Sequence, residues 1–79
     1  MTETENIIEL LEEIKKDEST NANLKSKLSK AINIMKQELD VSIKVSKTLQ
    51  QLEGIIEQNN IAMHLRTDLW TIFSLLETL

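Results

Sequence analysis

His64 is the single histidine of this 79-residue chain, and Asp68 follows it by four, the spacing that sets two side chains on one face of a helix. Two ligands do not make a metal site. There is no second histidine and no Glu-x-x-His pair, so a carboxylate-bridged metal centre of a helical bundle lacks its usual parts. The absence of cysteine removes thiolate zinc sites, disulfides and thiol nucleophiles, and leaves the redox compartment open. His64 is also the one imidazole available as a general base. Serines are plentiful, but none sits in a Gly-flanked elbow, and no Gly-rich loop exists to cradle a phosphate. These residues predict no catalytic group, no metal and no cofactor, hence no enzyme. His64 reads instead as a side chain that packs its ring or bonds a neighbouring backbone group.

Arg66 is the only arginine, the side chain best suited to bidentate recognition of carboxylate or phosphate. One turn into a helix, it reads as a structural group bonding carbonyls or carboxylates at the preceding helix end, such as Glu57 or Asp17. Thr67 and Trp70 are expected to pack beside it. Trp70 lies one position off the stripe Leu69, Ile72, Phe73, Leu76, which predicts a ring at the core edge with its indole N–H on a partner. The alternative for a partly exposed tryptophan is an interface anchor.

Charge is uneven. Eight lysines against four acids between residues 15 and 47 give a local +4, while the flanks carry nine acids and one arginine, −8. Lys25, Lys27 and Lys30 form the candidate basic patch. A lysine-rich helix face is ordinarily solvated, and nucleic-acid readers add arginines and stacking aromatics, which are scarce here, so nucleic acid is the lesser reading.

The elements that must position these residues are helices. Apolar residues recur at steps of three and four, and hairpin punctuation is nearly absent. The first helix runs from about Thr4 to Lys16, with Ile7, Leu10, Leu11 and Ile14 on one face and Thr2 with Glu5 as a capping box. The polar run from Asp17 to Asn21 turns the chain into a second helix carrying Leu24, Leu28, Ala31, Ile32 and Met35. A third spans about Val41 to Gln58, capped by Asp40, with Val45, Leu49, Leu52, Ile55 and Ile56. Asn59-Asn60 breaks it, Asn60 caps the next, and the fourth runs from about Ile61 with Leu65, Leu69, Ile72, Phe73 and Leu76. Between the second and third helices there is neither Gly nor Pro, and the unbroken four-three spacing from 24 to 56 also fits one long coiled-coil helix. Polar Glu38 and Ser42 favour a turn there.

An offset of 41 residues sets Leu11 on Leu52, Ile14 on Ile55, Leu24-Lys25-Ser26 on Leu65-Arg66-Thr67, Leu28 on Leu69 and Met35 on Leu76. The chain therefore reads as one helical domain with an internal repeat, roughly 7–38 and 42–79: an all-α four-helix bundle of two duplicated αα-hairpins. The period is that of two-helix solenoid repeats of the HEAT type.

The segment from Asn60 to Ile72, with His64, Arg66, Thr67 and Trp70, resembles the most distinctive stretch of a small archaeal family, uncharacterised protein family 0147. That family's pattern reads Met-Pro-x-His-x-Arg-Thr, then an apolar residue and Trp. The first hairpin, Asp17-Glu18-Ser19-Thr20 followed by Asn23-Leu24-Lys25, is similar as well. Where the family has prolines this chain has Asn21 and Ala62, and Lys25 stands for an arginine. The resemblance implies a compact four-helix protein of unassigned function and carries over no active site.

Ten Ile and twelve Leu supply an efficient core for a domain that buries only about 60 to 65% of its extended surface. The formal charge of −4 argues against a dedicated binder of nucleic acid or anionic membrane, and no apolar run approaches the roughly 18 residues of a membrane span. An acidic start, Met1-Thr2-Glu3-Thr4-Glu5, is no secretory signal, which makes the cytoplasm the default. The expected role is a non-catalytic protein-interaction or scaffold module, with weak nucleic-acid association as the alternative. Leu10, Ile34, Ile43 and Leu75 lie at stripe margins, and a two-repeat stack leaves terminal faces open, so a homodimer is expected.

Overall fold

Each polar connection does the work of starting or stopping a helix. A computed structural model describes residues 2–58 and 60–79, and among these the helices are α1 (Glu3–Lys16), α2 (Ala22–Lys36), α3 (Val41–Ile56) and α4 (Met63–Glu77). Thr2 Oγ1 accepts from the Glu5 N–H at 3.1 Å, the N-cap half of the expected capping box. Asn21 Oδ1 accepts from the Leu24 N–H at 2.8 Å and starts α2. Buried Thr20 donates its hydroxyl to the Ile14 carbonyl at 2.6 Å, and the Asp17 N–H reaches the same oxygen at 3.1 Å. The α1–α2 turn thereby satisfies a terminal carbonyl of α1.

Lys36 is the last residue of α2. Gln37 takes an extended conformation (φ −74°, ψ 152°), so the four-three spacing across the junction belongs to two helices. Asp40 occupies the N-cap position of α3, although its side chain makes no cap bond. Two boundaries differ from the sequence reading. α3 ends at Ile56 rather than Gln58, and α4 begins at Met63 with Ala62, not Asn60, at its N-cap position. The reason lies in Ile61: it packs against the core from the connection, extending the apolar stripe without helical backbone. Asn59, half of the expected break, lies outside the described residues.

Burial follows the 41-residue offset. Leu11 and Leu52, Ile14 and Ile55, Leu24 and Leu65, Leu28 and Leu69, and Met35 and Leu76 are all buried. Truncating such a leucine to alanine costs about 2–5 kcal/mol. Ile7 is matched by Thr48, a fully buried threonine whose hydroxyl donates to the Lys44 carbonyl at 2.8 Å. No described buried side-chain polar atom lacks a partner.

The helices form a four-helix bundle in a ring: α1 packs on α2, α2 on α3, α3 on α4, and α4 back on α1. That last contact corrects the picture of an open two-repeat stack. Leu10 and Leu75 are packed against the core, and of the four marginal residues only Ile43 is exposed. No helix is long and apolar enough to cross a membrane among the described residues.

Candidate functional site

α4 carries all four signature residues, but it does not bring them together. At about 100° per residue, His64 and Asp68 fall on the flank toward α1, Arg66 and Phe73 on the flank toward α3, and Thr67 outward. His64 Nε2 lies 3.2 Å from Asp17 Oδ2, so its partner is a carboxylate at the end of α1 rather than a neighbouring backbone group. Asp17 Oδ1 accepts from the Ser19 N–H at 2.8 Å. That backbone N–H holds the Asp17 carboxyl below the usual aspartate range; desolvation opposes it and His64 adds to it. Asp68 shares a groove of about 240 Å³ with Leu10, Glu13, Ile14, Asp17 and Thr71. No set of three His, Cys, Asp or Glu side chains among the described residues is arranged to hold a metal ion.

On the other flank, Arg66 Nη2 donates to the Gln58 carbonyl at 2.7 Å. The sequence named Glu57 or Asp17 as acceptor; the bond falls on the backbone one residue beyond Glu57. Lys25, 41 residues earlier, is exposed and makes no such bond among the described residues. Thr67 is exposed, its hydroxyl donating back to the Met63 carbonyl at 3.1 Å instead of packing beside Arg66.

Trp70 departs furthest from expectation. It lies about 130° round from the centre of the buried stripe, further out than the core edge, and is 51% exposed. Its indole N–H has no acceptor among the described residues. Its ring stands 5.4 Å from that of half-buried Phe73, tilted by 60°. The pair forms one wall of a groove of about 380 Å³ between α3 and α4, whose other side is Glu53, Ile56 and Glu57.

Residues 2–79 match the model of an uncharacterised protein family (UPF0147). The chain belongs to this family. No curated protein and no solved structure matches the chain. In this UPF0147 member the match covers both hairpins, with the His64–Trp70 segment at the head of α4.

The candidate basic patch is dispersed. Lys25 and Lys27 are about 160° apart around α2 and flank opposite edges of its buried stripe, while Lys30 points away from the core. Lys36 is diverted to Glu12, at 3.5 Å. Glu53 and Phe73 are the residues sequence reading did not place at a site, while Asp17 and Glu57 entered it only as acceptors for Arg66. Each reaches its position by tertiary packing, for which helical spacing gives no signal.

Proposed function

We propose that this UPF0147 protein is a non-catalytic protein-interaction module whose contact face is centred on Trp70. One observation carries the reading: a half-exposed tryptophan tilted against a half-buried phenylalanine beside an open groove. Burying a large aromatic in a partner's pocket is the recurrent source of interface energy. Phe73 covers only part of the Trp70 ring, and the indole N–H has no acceptor among the described residues. The dispersed lysines support protein over nucleic acid as partner.

A photocrosslinking amino acid placed at position 70 in the native cell tests this, with exposed Asn33 on α2 as the control position. The expected result is a discrete adduct at 70 and not at 33, whose purified partner binds the native chain and loses the Trp70→Ala variant. An adduct of twice the chain's mass makes the partner a second copy. Indistinguishable adducts from the two positions overturn the reading.

A further inference from the structure

Resting on that reading, we infer that the α3–α4 groove recognises a cationic side chain, an arginine presented beside an apolar residue of a partner protein. Glu53 and Glu57 stand one helical turn apart on α3 and both line the groove with Trp70 and Phe73. Neither carboxylate has a hydrogen bond or an ion pair among the described residues. Like charges at this spacing repel, and both stand in the last turn of α3 or at its C-cap, where the helix dipole is itself negative. The last turn of α3 holds no basic residue. Arg66 donates to the Gln58 carbonyl, next to Glu57 in the chain, and makes no ion pair with either glutamate among the described residues.

The aromatic side adds to this. The face of an indole ring carries negative quadrupole charge and attracts guanidinium most strongly among the aromatic residues. A planar guanidinium can stack on Trp70 while its N–H groups bond Glu53 or Glu57, a combination ammonium reproduces poorly and an anion cannot make. Ile56 and Phe73 offer apolar surface for the residue beside it. Two carboxylates placed against the dipole of their own helix are a local choice that costs stability in the isolated chain, as expected where a binding surface overrides folding preference.

The test is a selection of displayed peptides of random sequence on the purified chain, counter-selected on Trp70→Ala. Peptides that need Trp70 should be enriched in arginine next to an apolar residue. Synthetic copies should bind about tenfold more weakly to the Glu53→Gln/Glu57→Gln variant, the scale of one charge-assisted contact, and equally weakly when their arginine is replaced by glutamine. All the substituted side chains are exposed, and unchanged helical circular dichroism verifies that the variants fold. Trp70-dependent peptides without basic enrichment, or indifferent to the double variant, overturn the cation inference and leave the interaction reading standing. A selection yielding no Trp70-dependent peptide overturns both.

Discussion

Arg66 of α4 reaches back to the carbonyl of Gln58, just beyond the end of α3, at 2.7 Å. This charge-assisted bond ties the head of one helix to the chain leaving the other, across a connection that has no side-chain cap on α4. Arg66→Ala should therefore destabilise the protein by roughly 1.5 kcal/mol, the lower end for a bond to a charged group because the side chain is half-buried. Arg66→Lys should cost less. Urea melts measure both, and an Arg66→Ala midpoint equal to the native one refutes the tie.

The two positions where the family pattern has proline should respond differently. Ala62 has φ −59°, and its N–H donates no bond among the described residues, so Ala62→Pro should stabilise by about 0.4–1 kcal/mol through the unfolded chain. Asn21 also has a compatible φ of −78°, but its side chain caps Leu24. Losing that cap costs about 1 kcal/mol, so Asn21→Pro should be neutral or destabilising. Thermal melts of the two variants give the comparison, and a stabilised Asn21→Pro would mean the cap is worth less than the gain from proline.

Gly54 lies inside α3 with a negative φ, and a Cβ added there meets nothing within 4 Å. Gly54→Ala should raise stability by about 1 kcal/mol, the helix-interior difference between the two residues. A lower melting temperature would show that the position is crowded in solution.

Because the folded Asp17 carboxyl is held below its ordinary value, chiefly by the Ser19 N–H, it favours folding above about pH 4. That contribution is lost as pH falls through the lowered value. Asp17→Asn should therefore flatten the stability loss on the acid side, while removing the negative partner of His64. Stability against pH for the two proteins decides it; parallel acid limbs would refute the assignment.

The buried stripes were legible in the sequence because they follow from helical period alone: Ile7, Leu11 and Ile14 on α1 or Leu65, Leu69, Ile72 and Leu76 on α4 need no knowledge of neighbours. The α2–α3 turn was legible only through Glu38 and Ser42. What local spacing missed is instructive. It gave His64 a packing role or a bond to neighbouring backbone, whereas the imidazole meets Asp17, 47 residues away, because α1 closes on α4. It also set Trp70 at the core edge, although how far a neighbouring helix covers that flank depends on where α3 packs. Helix α4 was read two residues early because an apolar Ile61 serves the core from a non-helical segment.

The ring of helices also bears on how the chain finds its structure. Three of its four interfaces join helices consecutive in sequence, and only the α1–α4 seam, with its His64–Asp17 contact, spans most of the chain. Loop-closure entropy is therefore concentrated in one event, while the remaining contacts form locally. Predominantly local interfaces of this kind favour the fast folding expected of helical bundles.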